Sequence, residues 1–225
     1  MKYKRILVIE DDPEINKLLR EILTKAGMNS VPAYSGTEGL LQLENNPYDL
    51  VILDLMLPGI SGEELLNKIR KTSMIPIIVI TAKVDIEDKV HVLKMDADDY
   101  ITKPFNHQEV LARVDVQLRK LSISSRQLTK KVWRALQVNP DKRSVYLENE
   151  QIHLTIAEFD ILSLLINRPE HVFSKREIYE SIWTGPYVGD DNTISVHVSN
   201  IRKKFAVVTS DEYIRTIWGV GFMLV

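Results

Sequence analysis

The 225-residue chain has no cysteine, so neither a disulfide nor a thiolate-ligated zinc site can organise it. It has no apolar run of membrane-spanning length, and its opening, MKYKRILVIEDD, carries no signal-peptide pattern. A soluble, cytoplasmic protein with no membrane partner is expected. A strong charge of either sign is also missing, the formal net charge being -2. Divided at Ser124, the first part carries 16 Lys+Arg against 19 Asp+Glu and the remainder 13 against 12. Bulk basicity therefore does not point to nucleic acid, and any DNA contact must rest on where particular charges sit. What is present is 44% hydrophobic residues and enough length for two domains of ordinary size.

The stretch Tyr48–Gly59, YDLVILDLMLPG, organises the first half. Leu50–Leu53 is a continuous apolar run suited to a strand covered on both faces, Asp54 ends it, and Pro58-Gly59 turns the chain. A lone acid there also has a bland reading, as a solvated strand end. However, residues 6–9, ILVI, form a second such run that ends in Glu10-Asp11-Asp12. Pro13 suits the first turn of a following helix, where Ile15, Leu18, Leu19, Ile22 and Leu23 repeat at helical spacing up to Gly27. Further strands are predicted at 30–33, 77–80 and 98–102, and helices at 37–44, 61–70, 86–95 and 107–120. Strands alternating with helices predict an α/β fold, a five-stranded doubly wound parallel sheet.

In such a sheet Glu10, Asp11, Asp54, Thr81 and Lys103 all follow C-terminal strand ends and share one edge, where open α/β sheets bind ligands. Three neighbouring carboxylates repel, and Mg²⁺, which takes hard oxygen ligands, relieves that repulsion. Lys103 adds a point charge and Thr81 a hydroxyl, a set that can neutralise a phosphoryl group in transit with Asp54 as nucleophile.

The motifs IEDD, DLMLPG, Thr81-Ala82 and YITKPF, in this order, resemble the receiver domain of bacterial two-component response regulators over about residues 3–121. The resemblance implies that Asp54 is the phosphoacceptor, Asp11 a direct metal ligand, Glu10 a ligand mostly through water and the Met56 carbonyl a further ligand. It implies that Thr81 and Tyr100 form the switch pair and that Lys103 meets the phosphoryl oxygen, with a cis bond to Pro104. It also implies phosphorylation by a sensor histidine kinase, slow self-dephosphorylation rather than enzymatic turnover, and a phosphorylation-favoured homodimer through the last helix-strand-helix unit. Pairs expected across that dimer are Lys89 with Glu109, Asp99 with Arg113, and Asp98 with Arg119 or Lys120. Asp96 stands where relatives usually carry glycine, a position at which a positive φ would be demanding.

Domains are placed at 1–121 and 132–225, with a linker at 122–131 inside the serine-containing LSISSRQLTKK. Beyond it, short strands are predicted at 132–138, 144–147 and 151–154. Thr155/Glu158 and Ser174/Glu177 are capping-box pairs that open two helices. Residues 191–205 predict a third helix with Ile194, Val198, Ile201 and Phe205 facing a core. Thr193, His197, Asn200, Arg202, Lys203 and Lys204 are expected on its open surface. The chain closes in a hairpin, with Gly219 and Gly221 assigned to its turn.

LTIAEFDIL, DNTISVHVSNIRKKF and IWGVGF resemble the winged helix-turn-helix effector domain of the OmpR/PhoB subfamily. Carried over, residues 191–205 are the recognition helix. Thr193 and Arg202 are phosphate contacts, with Lys203 a lesser one, while His197, Ser199 and Asn200 face bases. The resemblance implies binding to double-stranded DNA at direct repeats, with RNA polymerase a candidate further partner. Relatives usually have arginine where Asn192 stands, often where Asn200 stands, and mostly where Trp218 stands in the wing. Trp218 either packs across sugar and backbone or covers the hairpin core. The function expected is a phosphorylation-dependent DNA-binding transcription regulator; the alternative is a phosphorylation-independent or partner-controlled DNA-binding protein with the receiver as scaffold. A phosphatase is disfavoured, because no polar residue beside the pocket is evident to align water.

Overall fold

The computed structural model describes residues 4–82, 93–122, 130–183 and 191–225, in two compact units, Met1–Leu118 and Arg119–Val225. The first holds β1 (Arg5–Ile9), α1 (Pro13–Lys25), β2 (Asn29–Ala33), α2 (Gly36–Asn45), β3 (Leu50–Asp54), α3 (Gly62–Arg70), β4 (Ile77–Thr81) and β5 (Asp99–Thr102). Helix α4 (His107–Ser122) begins in it and runs past its boundary. The five strands form a parallel sheet in the order β2-β1-β3-β4-β5, as expected for a doubly wound fold. Every residue of β3 and β4 is buried, which is why both read as unbroken apolar runs. The expected helix over 86–95 lies mostly outside the described residues.

The start of α1 is closed by a side-chain cap. The Asp12 carboxylate accepts from the amides of Glu14 (2.8 Å) and Ile15 (3.1 Å), and Pro13 fills the first turn. Asp96 has φ 64°, so its position does require the left-handed region that glycine would meet without strain. The backbone there is held by Arg70. Its Nε donates to the Asp96 carbonyl (2.8 Å), its Nη1 to that of Ile75 (2.6 Å) and its Nη2 to the Asp98 carboxylate (2.8 Å). Asp98 is fully buried and also accepts from the Ile77 amide at 2.9 Å. One ion pair thus ties the end of α3 to the starts of β4 and β5.

The second unit opens with four antiparallel strands, β6 (Lys131–Trp133), β7 (Leu136–Asn139), β8 (Ser144–Leu147) and β9 (Glu150–Ile152). The single strand expected over 132–138 is therefore two strands, folded back at Arg134, whose φ is 54°. Next come α5 (Ile156–Leu165), β10 (Phe173–Ser174), α6 (Lys175–Ile182), α7 (Asp191–Ala206), β11 (Ile214–Ile217) and β12 (Gly221–Leu224). Both capping boxes are formed, at Thr155/Glu158 and Ser174/Glu177. Helices α5, α6 and α7 enclose Phe159, Leu162, Ile178, Ile194, Val198 and Ile201. The hairpin β11–β12 joins β10 in a three-stranded sheet, order β10-β12-β11. Gly219 turns the hairpin with φ 74°, whereas Gly221 lies in β12 for a different reason: a Cβ there would stand 1.9 Å from the Phe173 carbonyl oxygen.

Arg70→Ala leaves Asp98 charged and buried, a loss expected to cost about 3–5 kcal/mol. All three tryptophans lie in the second unit, so a urea transition seen by far-ultraviolet circular dichroism but not by tryptophan fluorescence reports on the first. That transition should move to lower urea; an unmoved midpoint would show the pair to be dispensable.

Candidate functional site

The parallel register builds a charged cluster at one sheet edge. Ile9 pairs with Leu53, Asp54 with Ile80 and Thr81 with Thr102, so Glu10, Asp54, Thr81 and Lys103 stand side by side. The Lys103 amide donates to the Thr81 carbonyl at 2.8 Å, and the Lys103–Pro104 bond is cis. From there Lys103 Nζ donates to Asp54 Oδ2 (2.5 Å) and to Glu10 Oε2 (2.8 Å) and Oε1 (3.1 Å). Asp54 Oδ1 accepts from the Met56 amide at 2.9 Å. Glu10 and Asp54 are buried, Asp11 is exposed, and carboxylate oxygens of all three lie within 4.8 Å of one another. Thr81 and Tyr100 are both buried, the Tyr100 ring turned inward with the Arg113 guanidinium 5.9 Å from its centre.

Burial pushes Glu10 up to about 7, with the Asp54 charge adding to the rise and the Lys103 hydrogen bond opposing it. For Lys103, burial acts downward, but hydrogen bonds and charges from Asp54 and Glu10 prevail and raise it. Three carboxylates against one ammonium, offering hard oxygen donors, fit a divalent cation such as Mg²⁺, with Glu10, Asp11 and Asp54 as its holders.

The residues expected to pair across a dimer are largely engaged within the chain. Arg113 Nη1 lies 2.7 Å from Asp99 Oδ1, and its Nη2 lies 3.2 Å from Glu109 one helical turn earlier. Asp99 is buried, and Asp98 is buried against Arg70. Both carboxylates thus already meet a cation of their own fold. Arg119 is exposed. Lys89 lies outside the described residues.

Helix α7 differs most from expectation. Ile194, Val198, Ile201 and Phe205 are buried as predicted, but so are Thr193, His197 and Asn200. His197 stacks at 5.7 Å on Trp183, and Lys204 Nζ pairs at 2.7 Å with Glu158, itself fully buried. Positions 193, 197 and 200 follow a helical spacing of their own, a second buried stripe that half-buried Lys204 extends and that polarity alone disguised as an open face. In this structure Thr193, His197 and Asn200 do not present themselves to a duplex. Arg202 is turned to the wing, where its Nε and Nη2 donate to the Ile214 carbonyl (2.9 and 2.7 Å) and its Nη2 to Thr216 Oγ1 (2.9 Å). Arg202 thus acts as a staple between α7 and β11. Lys203 is exposed, Ser199 is half-buried, and Trp218 is 90% exposed, which rules out its covering the hairpin core.

Two predictions follow from these contacts. Below pH 7 a proton on Glu10 competes with metal, so Mg²⁺ affinity measured by calorimetry should be about tenfold weaker at pH 6 than at pH 8, and Glu10→Gln should flatten that dependence. The same shift makes Glu10's contribution to folding stability fall as pH rises from its ordinary 4.5 to about 7. Second, Arg202→Ala should lower the thermal midpoint of the tryptophan-bearing unit, and should weaken any DNA binding without changing the slope of affinity against salt. A slope flattened by about one unit would instead identify a phosphate contact.

Comparison with known proteins agrees with this geometry. The model described as "Response regulator receiver domain" matches residues 6–115, and that described as "Transcriptional regulatory protein, C terminal" matches 149–224. The uncharacterized transcriptional regulatory protein YrkP of Bacillus subtilis is 42% identical, over 97% of this chain and 96% of its own. The response regulator ArlR of Staphylococcus aureus is 37% identical over 98% and 99%. Among solved structures, a RitR mutant superposes with a TM-score of 0.78 at 25% identity, covering 98% of both chains. DrrB, a Thermotoga maritima OmpR/PhoB homolog, gives 0.52 at 30% identity over 99% of each. With a receiver fold carrying its acidic cluster and a winged helix-turn-helix unit behind it, the chain belongs to the response regulators of the OmpR/PhoB type.

Proposed function

We propose that this chain is a phosphorylation-switched regulator of transcription in a two-component system, taking a phosphoryl group from a sensor histidine kinase onto Asp54. The observation that carries the reading is the Asp54 carboxylate, held 2.5 Å from Lys103 Nζ within a cluster of three acids whose oxygens lie within 4.8 Å. Its domains are a receiver at 1–121, a linker at 122–131 and a winged-helix unit at 132–225.

The chemistry is a transfer between two nucleophiles. An Asp54 oxygen attacks phosphorus, the phosphorus–nitrogen bond to the kinase histidine breaks, and the departing imidazole keeps the electron pair and takes a proton. Mg²⁺, when bound by Glu10, Asp11, Asp54 and the Met56 carbonyl, supplies positive charge against the phosphoryl oxygens. Lys103 leaves the carboxylate for the new phosphoryl group, gaining a stronger anion than the one it releases. Thr81 donates its hydroxyl to the same group, and Tyr100, already inward, fills the space behind it. The acyl-phosphate then hydrolyses slowly, without turnover of an external substrate.

Phosphorylation favours a receiver homodimer, for which the exposed Arg119 remains a candidate contact. Two effector units then address direct repeats about one helical turn apart, roughly 10 bp. On α7, the exposed Lys203 and half-buried Ser199 are the residues proposed to meet DNA. RNA polymerase is a further candidate partner.

A small phosphodonor with Mg²⁺ should give a phosphate adduct in intact-mass analysis, abolished by chelation and by Asp54→Asn. Equal labelling of the D54N protein would remove Asp54 as the acceptor.

A further inference from the structure

Because the chain holds no cysteine, its oxidisable sulfur is confined to the thioethers of its six methionines. Met1 lies outside the described residues, and Met28, Met74, Met95 and Met223 are half-buried. Met56 is 63% exposed, the one exposed methionine among the described residues. Its place in the fold is fixed by its neighbours. The Met56 amide donates to Asp54 Oδ1 at 2.9 Å, and the residues on either side, Leu55 and Leu57, are both buried. The Leu55 carbonyl also accepts from the Gly62 amide at 3.0 Å, at the start of α3. With both leucines turned into the fold, the Met56 side chain is left on the solvent side, two residues after Asp54. No part of the core is filled by this thioether, so packing does not account for a sulfur at this position.

We infer that the Met56 thioether is an oxidation site, through which hydrogen peroxide slows phosphorylation of the receiver. The inference rests on the Asp54 reading above and adds a chemical control on the same pocket. In the step, a sulfur lone pair attacks one peroxide oxygen, an S–O bond forms and the O–O bond breaks. The distal oxygen leaves as hydroxide and takes the proton of the transferred oxygen, giving sulfoxide and water. Sulfur loses two electrons and the peroxide gains them. The product side chain is polar, with the negative end of its dipole on the new oxygen. Glu10, Asp11 and Asp54 already outweigh Lys103 in charge at this sheet edge. A further negative pole beside the pocket repels an anionic phosphodonor, and the solvated sulfoxide obstructs its approach. The amide and carbonyl of residue 56 take no part in the oxidation, so the backbone contact with Asp54 survives it. Cation binding is therefore kept while phosphoryl transfer slows.

The test treats the full chain with hydrogen peroxide and follows intact mass and peptide maps, for wild type, Met56→Leu and Met56→Gln. Leucine keeps an apolar side chain without sulfur, and glutamine sets a permanent amide dipole at the same position. Wild type should gain about 16 Da on the Met56 peptide before the peptides carrying Met28, Met74, Met95 and Met223 change. Oxidised wild type should then take phosphate from a small donor about threefold more slowly than the untreated chain, with Mg²⁺ affinity by calorimetry unchanged. Methionine sulfoxide reductase should restore the rate. M56Q should be slow without peroxide, and M56L should show one rate before and after treatment. First oxidation at any of the four half-buried methionines would overturn the inference and leave the Asp54 reading intact. So would an oxidised wild type as fast as the untreated one, or a loss of rate on treatment that M56L shares. An untreated wild type that takes no phosphate would remove both readings, and circular dichroism of each variant verifies that its fold is kept.

Discussion

The contact of Lys103 with Asp54 and Glu10 is the constraint on which the receiver's arrangement depends. A single ammonium holds two buried carboxylates belonging to β1 and β3 from the end of β5, so the three strands must keep their register to within one residue. A slip of one residue would turn Asp54 into the apolar face and Leu53 to the edge. The packing behind the cluster is equally tight. A Cβ at Gly62 would stand 2.2 Å from the Asp54 carbonyl oxygen, so α3 approaches β3 only because its first residue has no side chain. Gly36 on α2 is similarly pressed, 2.4 Å from the Ile60 carbonyl oxygen. The pocket's mouth is thus set by backbone packing on one side and charge on the other.

How far this was legible in the sequence depended on the range of the interaction. Local rules held well. Thr155 and Ser174 cap the helices they were read to open, and the fully buried strands stood out as apolar runs. The pocket was also legible, because the rule that ligands gather at C-terminal strand ends needs only strand order. Pairings between distant residues were not. Nothing local marks Asp98 as the partner of Arg70, or Asp99 as that of Arg113, since each pairing arises only when β5 and its neighbours come together. Acids beginning a strand looked like surface charges available to a partner and turned out to be consumed by the fold.

Helix α7 shows the same limit in another form. A polar side chain at helical spacing is compatible with either solvent or a satisfied interior, and periodicity alone cannot separate them. Lys204 illustrates the second case, its stem lying inward and its ammonium on Glu158, the glutamate that also caps α5. Arg202 illustrates it again, its guanidinium spent on a backbone carbonyl and a threonine hydroxyl. The strip of basic residues at the end of this helix therefore overstates the charge left for DNA. Of Arg202, Lys203 and Lys204, only Lys203 is exposed.

The acidic cluster at the sheet edge is more lopsided in charge than these pairings. Arg70 meets Asp98, Arg143 meets Asp160, Lys204 meets Glu158, and Arg113 meets both Asp99 and Glu109. At the sheet edge one lysine faces Glu10 and Asp54, with Asp11 close by, and the balance is negative. Such an excess costs stability, because desolvation and mutual repulsion both oppose ionisation, and Glu10 answers by holding its proton up to about 7. A fold that needed only stability would carry an amide in place of one of these acids. Retaining the charge fits a site that takes up a divalent cation, whose charge offsets the excess that Lys103 alone leaves.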